Sequence, residues 1–380
     1  MANIFYGMSG EGRGHATRGR AVIEALRAER HNVTLFTSDC AHAMLAPLYR
    51  GSDVRVVEIP GLRFAYGRNG QVDLVRTVAG ALGFRARAQR YVEAVLPEFE
   101  RAPPDLVVAD FEPILPRAAR ACGIPFVSFD HQHYLVVSDL SALPWSLRQK
   151  AATSAPFVRA LYDWQSKTIV SSFFAPPLKP AYRDAVQVGV LIRPELLRVR
   201  PERGRHLVAY LRRFAPAEML EALAASGREV RLYGLGERPP EAGGRLRFFP
   251  IDERRFLDDL ATCDAVVSTA GNQLVGEALA LRKPLFVMPE ARNFEQLINA
   301  FFLEKSGAGW AERGRLTGER LGAFLESTEA LRERIRPELI CGNHAALATL
   351  TAQLAPAPPR PGATARRPAG AAKLPGAQWA

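Results

Sequence analysis

Side chains suited to chemistry are concentrated in residues 268–300. A short apolar run ends at a tight turn, Thr269-Ala270-Gly271, and the spacing of the apolar residues from Asn272 to Leu281 predicts a helix. The free N–H groups and the positive dipole end of such a helix suit a phosphate. Farther along, Glu277 offers a carboxylate of the kind that usually binds ribose hydroxyls, and Glu295 and Gln296 open the next helix. The stretch therefore predicts a site for a phosphorylated ligand that also carries hydroxyl groups.

A second Gly-rich stretch follows the first apolar run of the chain. It reads Ser-Gly-Glu-Gly-Arg-Gly-His-Ala-Thr-Arg over residues 9–18, and its imidazole, His15, titrates near neutral pH. A strand, a Gly-rich turn and a helix are by themselves a weak sign of a dinucleotide site. Asp39, at the end of the second predicted strand, is the acid that such a site would use, so this alternative stays open at this point.

The residues of the first stretch must be positioned by short strands and helices in alternation. Apolar runs at residues 265–267 and 285–288 are typical of buried strands, and Pro284 ends the helix between them. Asn293 stands where it would cap the following helix. This alternation predicts a parallel α/β sheet, whose ligands bind outside the carboxyl ends of the strands. We therefore expect both loops of the unit to face one cleft.

The pattern of residues 268–300 resembles the nucleotide-sugar site of GT-B glycosyltransferases. It is similar to that of the enzyme that adds N-acetylglucosamine to the lipid-linked peptidoglycan precursor, and to that of glucuronosyl- and macrolide-type transferases. In this group the Gly-rich turn holds a diphosphate, the helix Glu binds ribose, and a polar couplet holds the sugar. The peptidoglycan enzyme has two glutamines at the couplet, so the Glu-Gln pair of this chain leaves the donor sugar open. The donor-binding residues that the resemblance implies here are Ala270, Gly271, Asn272, Glu277, Glu295 and Gln296.

In the same transferases the N-terminal Gly-rich loop ends in Gly-His and faces the acceptor. Gly14 and His15 occupy that position, and Gly12 belongs to the same loop. Arg13 departs from the plainer Gly-rich loop of the peptidoglycan enzyme and could touch an anionic acceptor. The resemblance thus implies that His15 is the general base for the acceptor hydroxyl. A carboxylate must orient the imidazole, and Asp110 is our candidate because it ends an apolar run that would emerge at the same sheet edge. The alternative is that His15 caps a helix or contacts the diphosphate without catalysis.

Two further donor contacts follow from the resemblance. The peptidoglycan enzyme has Val-Gly, then three residues, then an Arg that reaches the phosphate or ribose; Arg193 follows Val188-Gly189 at that spacing. A guanidinium fork suits a diphosphate. Ile251 stands where the family holds the nucleotide base, which makes it the predicted base contact. The chain departs from the family at Arg212-Arg213, where Gly and Ser are usual.

A polar cluster follows the apolar run at residues 126–129. Asp130, His131 and His133 have a spacing that metal sites use, but a zinc site needs further ligands in a defined frame, and the sequence shows none clearly. Because GT-B enzymes need no bound metal for catalysis, we interpret Asp130 and His131 as lining of the acceptor site. Further acceptor candidates, or a cover for the core, are Phe64, Tyr66 and Arg68.

Length and composition predict two folded domains and a tail. The 380 residues, of which 48% are hydrophobic, suffice for two cores. We expect an N-terminal Rossmann-like acceptor domain at residues 1–192 and a C-terminal Rossmann-like nucleotide-sugar domain with closing helices at residues 193–354. The two would face a cleft, as in the GT-B fold. Residues 355–380 are basic, rich in Pro and Ala, and too poor in large apolar side chains to pack, which predicts disorder.

Charge and cysteine usage limit the partners and the compartment. The formal charge is +11, and taking away the four basic residues of the tail leaves +7. A positive surface favours nucleotide diphosphates, acidic lipids or nucleic acid, although an Arg-rich genome produces the same excess. Four scattered cysteines match neither a metal site nor a disulfide framework, and no apolar run is long enough for a bilayer. We expect a cytoplasmic protein, and the helical pattern of residues 145–167 leaves open a peripheral contact with the inner face of the membrane.

Together these residues predict an inverting glycosyltransferase that uses no metal and no cofactor. It would move a hexose-type sugar from a nucleoside-diphosphate sugar, by resemblance a UDP-sugar, to a hydroxyl of a lipid-linked, glycan or small-molecule acceptor. One alternative is a nucleotide-sugar 2-epimerase of the same fold, which would need several acids around the sugar. Another is a non-catalytic anion- or nucleic-acid-binding protein, whose affinity would fall steeply with salt. It would leave Glu277, Glu295 and Gln296 without a role, so we expect no nucleic-acid partner.

Overall fold

The computed structural model describes residues 1–63, 65, 74–211, 215–291 and 293–354. Within them the chain forms two α/β units, each built around a seven-stranded sheet. Several sequence-based candidates lie outside the described residues: the tail at 355–380, Phe64, Tyr66, Arg68 and Arg212-Arg213. Within the described ranges, no helix is both long enough and apolar enough to cross a membrane.

The N-terminal unit is a wholly parallel sheet with helices between its strands. Its elements are β1 (Asn3–Met8), α1 (Arg13–Ala28), β2 (Asn32–Thr37), α2 (Asp39–Leu48), β3 (Arg55–Glu58), α3 (Leu74–Arg101), β4 (Leu106–Asp110), α4 (Ile114–Cys122), β5 (Phe126–Asp130), α5 (Tyr134–Val137), α6 (Trp145–Leu161), β6 (Lys167–Ser171) and β7 (Val186–Val188). The strand order is β3-β2-β1-β4-β5-β6-β7. Every residue of β4 and β5 is buried, as expected for strands covered on both faces.

The C-terminal unit repeats this plan with one exception at its edge. Its elements are α7 (Pro194–Arg198), β8 (Leu207–Tyr210), α8 (Ala217–Ala225), β9 (Val230–Tyr233), β10 (Arg238–Glu241), β11 (Leu246–Phe249), α9 (Glu253–Thr262), β12 (Ala265–Ser268), α10 (Asn272–Ala280), β13 (Leu285–Val287), α11 (Phe294–Ser306), β14 (Gly309–Ala311), α12 (Gly318–Arg334) and α13 (Asn343–Ala352). The order is β10-β11-β9-β8-β12-β13-β14, and only β10 is antiparallel to its neighbour. β10 contains Pro239 and Pro240, which an edge strand tolerates.

Each sheet reverses its winding direction at one point, and these two points define the cleft. In the N-terminal sheet β1 lies between β2 and β4, and Met8 pairs with Asp110 at the carboxyl ends. In the C-terminal sheet β8 lies between β9 and β12. Ligands of doubly wound sheets bind at such switch points. The loops that follow β1, β4 and β12 are therefore the loops positioned for function.

The two units share a packed seam. One buried apolar cluster contains Tyr134 from the N-terminal unit together with Val266 and Ile298 from the C-terminal unit. The rings of Phe174 and Phe302 stack across it with centroids 4.1 Å apart. This packing fixes the carboxyl ends of the two sheets toward each other.

The closing helix returns to the N-terminal unit. In α13, Ala346 and Leu350 are buried in the same apolar cluster as residues of β1 and α1. The Asn343 side chain accepts from the N–H of Ile192 and donates to its carbonyl, both at 2.8 Å. Residues 343–352, the last of the closing helices, thus pack on the N-terminal unit.

Candidate active site

Two helix N-termini converge on the cleft. α1 begins after Gly12 and α10 begins after Gly271, and in the described structure no side chain caps either of them. A side chain at the N-cap accepts a backbone N–H in α9, α11 and α12, whereas α2, α6, α8 and α13 lack such a cap as α1 and α10 do. A Cβ on Gly14 would lie 3.8 Å from the Cβ of Gln273, so the two N-termini are adjacent. Their uncapped N–H groups and dipoles make the cleft favourable to an anion.

The loop backbone at the cleft is constrained in different ways at different glycines. Gly12 has a φ of 73°, which favours glycine for conformational reasons. Gly271 has a φ of −68°, and a Cβ built on it meets no atom within 4 Å. The fold therefore does not require glycine at 271, whereas a ligand close to the backbone would.

Two non-glycine residues at the cleft adopt left-handed backbone conformations. Phe111 follows β4 with a φ of 56°, and Ala270 follows β12 with a φ of 63°. Each costs of the order of 1–3 kcal/mol and is commonly retained at functional sites. The carbonyl of Ala270 accepts a hydrogen bond of 2.9 Å from the Asn299 side chain of α11, which holds the turn in place.

The structure brings His15 and Asp110 together. His15 Nδ1 lies 2.8 Å from Asp110 Oδ1; the carboxylate is fully buried, and the imidazole keeps 12% of its side-chain surface exposed. Burial alone would raise the pKa of Asp110, but Arg18 and His15 beside it hold that pKa below its ordinary value. An ionised carboxylate only accepts, so Nδ1 carries the proton and Nε2 offers a lone pair. The imidazole is thus oriented as a general base requires.

Arg18 is a member of this group that the sequence analysis did not single out. Its Nε donates to Asp110 Oδ2 at 2.9 Å and its Nη2 to Oδ1. His15 and Arg18 are three residues apart on α1, a spacing that places side chains on one helix face, and this spacing was the available signal.

Arg193 and Glu277, the implied ligands of phosphate and ribose, are paired with each other. Nε and Nη2 of Arg193 donate to the two oxygens of Glu277 at 2.9 and 2.6 Å, and Nη1 donates to Glu253 at 2.9 Å. The side chains of Arg193 and Glu277 are only 6% and 2% exposed. Gln273 adds a contact of 3.1 Å to Glu277. Arg193, which follows β7, and Glu277, in α10, thus hold these two segments together. Neither side chain can bind a nucleotide while this pair is intact.

Asn272 also connects the two units. Its Nδ2 donates to the Ser171 carbonyl at 3.2 Å, and its Oδ1 accepts from the N–H of Phe173 at 3.3 Å. Its side chain is therefore engaged with the loop after β6, and only its backbone is available at the start of α10.

Glu295 and Gln296 differ in their exposure to the cleft. Glu295 is half-buried and its Oε2 lies 3.4 Å from Gln132 Nε2 of the N-terminal unit. Gln296 is buried, and its Oε1 accepts from the N–H of Glu290 at 2.8 Å, which closes its own loop. Asn293 caps α11 as the sequence indicated, by accepting from the N–H of Gln296.

Asp130 is buried inside the N-terminal unit. It is fully buried and accepts from Ser128 and Tyr162, and it pairs with His133 Nδ1 at 2.7 Å. Burial alone would raise its pKa, but His133 holds the pKa of Asp130 at about 2. This network stabilises the end of β5, and the side chain of Asp130 is not exposed at the surface.

His131 points across the seam. Its Nε2 lies 3.3 Å from Asn299 Oδ1, its Nδ1 is buried without a partner, and burial lowers its pKa. It therefore contacts the C-terminal unit and does not join Asp130 and His133. Within the described ranges, no group of three or more His, Cys, Asp or Glu side chains is arranged to hold a metal ion.

The predicted base contact lies at the mouth of a cavity at the end of β11. Ile251 is 36% exposed. Phe249, Pro250 and Asp252, on either side of it in the chain, line a cavity of about 490 Å³. Arg255 lies over the Phe249 ring at 3.6 Å, an arrangement that the sequence alone did not indicate. Arg13, the remaining loop candidate, is half-buried at the first residue of α1.

Known proteins resemble this chain at the level of sequence. A family model described as Glycosyl transferase family 1 matches residues 2–328. An uncharacterized glycosyltransferase of Methanosarcina mazei is 23% identical over 330 residues, which cover 79% of this chain and 83% of that protein. A UDP-N-acetylglucosamine--N-acetylmuramyl-(pentapeptide) pyrophosphoryl-undecaprenol N-acetylglucosamine transferase of Geobacillus thermodenitrificans is 30% identical over 180 residues, which cover 41% of this chain and 50% of that protein.

Solved structures show the same fold. The calicheamicin glycosyltransferase CalG4 has a TM-score of 0.64 and 18% identity, with 94% of this chain and 100% of that chain covered. Arabidopsis thaliana UGT89C1, complexed with UDP-L-rhamnose, has a TM-score of 0.65 and 14% identity, with 93% and 99% covered. The predicted GT-B fold is confirmed, and the match to the peptidoglycan enzyme agrees with the resemblance seen in residues 268–300.

The family match, unlike the fold, also determines the class of reaction. It begins before β1 and ends within α12, so it includes both switch points and the cleft between them. The prediction of a glycosyltransferase is confirmed by this match and by the glycosyltransferases among the relatives. Because the match spans 2–328 of the 380 residues, the chain belongs to glycosyl transferase family 1.

Proposed function

We propose that this glycosyltransferase inverts the anomeric configuration, uses a UDP-sugar as donor, and activates its acceptor with His15. One observation carries the proposal: an imidazole oriented by Asp110 at 2.8 Å stands beside the uncapped N-terminus of α10. A base and an anion-binding helix end on opposite sides of one cleft suit an in-line displacement.

The reaction would proceed in one step. His15 Nε2 takes the proton of the acceptor hydroxyl while the hydroxyl oxygen attacks the anomeric carbon. The bond from that carbon to the diphosphate oxygen breaks, and the nucleoside diphosphate leaves with the electron pair. Attack from the face opposite the leaving group inverts the anomeric centre. Asp110 stabilises the imidazolium that forms.

The leaving diphosphate would be held at the start of α10. The free N–H groups there lie beside Gly271, whose missing side chain leaves space for close approach. Arg193 already donates to Glu277 and Glu253, so it reaches the diphosphate only by exchanging partners. We propose that the helix end supplies the charge stabilisation without a metal ion, so EDTA should leave turnover unchanged.

A uridine nucleotide is supported by the relatives. UDP-N-acetylglucosamine appears in the name of the Geobacillus enzyme, and UDP-L-rhamnose is bound in the Arabidopsis structure. In this chain, the half-exposed Ile251 stands beside a cavity that is lined by Phe248 and Phe249 together with charged side chains, and this is the place we propose for the base. Glu277 would reach the ribose when it releases Arg193, and the half-buried Glu295 would meet the sugar.

A lipid-linked acceptor on the inner face of the membrane is part of the same proposal. α6 exposes Trp145 at 67% and Phe157 at 46%, and Arg148, Lys150 and Arg159 are also exposed on it. Aromatic and basic side chains on one surface helix are suited to an anionic bilayer surface.

Calorimetry with UDP, TDP, GDP and ADP on wild type and Gly271→Ala tests the donor site. We expect micromolar binding of UDP that weakens at least tenfold in Gly271→Ala, because the new methyl group blocks the diphosphate. Gly322→Ala is the matched control: Gly322 lies in α12, and a Cβ on it also meets no atom within 4 Å. Equal UDP affinities in Gly271→Ala and Gly322→Ala would show that the diphosphate does not bind at this turn.

Turnover of the best UDP-sugar in His15→Gln tests the base. The expected loss is about 10²- to 10⁴-fold with little change in UDP affinity. The NMR coupling constant of the product's anomeric proton reports inversion or retention. Retention, or full activity in His15→Gln, would contradict the mechanism, and deuterium at C2 of recovered donor would indicate a 2-epimerase.

A further inference from the structure

Arg18 contacts the imidazole of His15 as well as the carboxylate of Asp110, and neutralising Asp110 alone would not require that second contact. The guanidinium is 3% exposed and clamps both oxygens of Asp110. Its Nη2 also lies 3.0 Å from His15 Nδ1. Asp110 Oδ1 thereby accepts from both Arg18 and His15. If Arg18 moves, the oxygen that orients the imidazole moves with it.

The contact of His15 with Asp110, which is the shorter of its two contacts, selects one tautomer. A guanidinium only donates, and an ionised carboxylate only accepts. Since Nδ1 lies 2.8 Å from Asp110 Oδ1, Nδ1–H and Arg18 Nη2 are two donors that share one acceptor. The short distance between Nη2 and Nδ1 is then a contact between two donors, and Nε2 is the unprotonated nitrogen.

The positive charge of Arg18 offsets the attraction of Asp110 for a protonated imidazole. Arg18 and Asp110 together are neutral, so a protonated His15 would place a net positive charge beside a buried guanidinium. A carboxylate alone would favour the imidazolium, and a cation at 3.0 Å disfavours it. The Phe111 ring, stacked at 6.4 Å, adds no charge. The charged and titratable groups that interact with His15 or with its two partners are Arg18 from α1, Tyr6 from β1, Asp110 from β4 and Asp130 from β5.

We propose that Arg18 is a positioning residue of the transfer reaction: it fixes Asp110 and the Nδ1–H form of His15, and it keeps the imidazole uncharged and ready to accept a proton. The proposal rests on the proposed function, in which His15 is the base. It assigns Arg18 no contact with substrate. It also gives a reason for placing His15 and Arg18 three residues apart near the start of α1, where that helix meets the cleft.

A histidine titration measured by NMR tests the electrostatic part without any substrate. The protein has seven histidines, and the spectrum of His15→Gln assigns the signal of His15. In Arg18→Met we expect the His15 midpoint to rise by about one pH unit or more, because a close cation is lost while the carboxylate stays. Arg27→Met is the control: Arg27 is also on α1, pairs with Glu24 and Asp53, and should leave the midpoint unchanged. An unchanged His15 midpoint in Arg18→Met would overturn the proposal.

Arg18→Lys tests the positioning part and decides the question if Arg18→Met does not fold. Lysine keeps the charge but loses the fork, so the midpoint should stay within a few tenths of a unit of wild type. Turnover of the UDP-sugar should fall at least about tenfold with an unchanged donor KM, because the imidazole is no longer fixed. Unaltered turnover in folded Arg18→Lys would refute the positioning role. A shifted midpoint combined with full activity in His15→Gln would instead refute the proposed function and leave the electrostatic assignment intact.

Discussion

Breaking the buried pair of Arg193 and Glu277 should destabilise the protein strongly. Glu277→Gln keeps the shape of the side chain but removes its charge, and the guanidinium then remains buried with one fewer carboxylate. Its two hydrogen bonds to Glu277, at 2.9 and 2.6 Å, join the linker after β7 to α10. The effect should therefore extend to the contact between the two units.

The size of the effect follows from burial and from the remaining partner. Removing one member of a buried ion pair costs about 3–5 kcal/mol. Arg193 keeps its bond of 2.9 Å to Glu253, which places the expected loss for Glu277→Gln near the lower end, about 3 kcal/mol. Glu253→Gln is the matched control, and because the Glu253 side chain is 29% exposed we expect about 1 kcal/mol or less.

Urea unfolding of the nucleotide-free protein measures these values. Fluorescence and circular dichroism must report the same transition for the free energies to be meaningful. The double variant with Arg193→Met should lose about 1–3 kcal/mol less than the sum of the single losses, because both remove one interaction. Glu277→Gln with a wild-type free energy of unfolding, or strictly additive losses, would refute the reasoning.

The ion pair of Arg193 and Glu277 also affects the interpretation of nucleotide-binding measurements. A nucleotide whose ribose takes Glu277 must draw that carboxylate away from Arg193. Affinities of Glu277 variants for UDP should therefore be measured well below their unfolding transitions, where lost stability does not reduce the folded fraction.

Three further outcomes are expected. Burial raises the pKa of Glu112 to about 7. Its protonated form therefore stabilises the fold below about pH 4.5, and this stability, at most roughly 3 kcal/mol, is lost as the pH rises through 7. Glu112→Gln should reduce the change of the unfolding free energy with pH between pH 5 and 8. Gly276→Ala should cost about 1–3 kcal/mol of unfolding free energy in urea, since its Cβ would lie 2.3 Å from Val190 Cγ2. An unfolding midpoint equal to that of wild type would show that the segment around Val190 moves to accommodate the new methyl group. Trp145→Ala with Phe157→Ala should weaken sedimentation with anionic vesicles several-fold but not UDP affinity, and equal sedimentation would remove α6 from any membrane contact.

The local features of the site were predictable from the sequence because they depend on short-range rules. Asn293 caps α11, and the Gly-rich turns precede α1 and α10, because caps and turns are set by neighbouring residues. The pairing of His15 with Asp110 was predictable one level higher. Both follow strands of one parallel sheet, and loops after such strands meet at its carboxyl edge.

The partners of the buried charges were decided by tertiary structure alone. Glu277 was predicted to face ribose and Asp130 to face an acceptor, yet the first pairs with Arg193 and the second with His133. Arg18 was passed over, although it clamps Asp110. A charged group cannot stay buried unpaired, so it takes whichever opposite charge the packing brings near. The sequence by itself determined which loops reach the cleft, and only the packing of the two units determined which charges neutralise one another there.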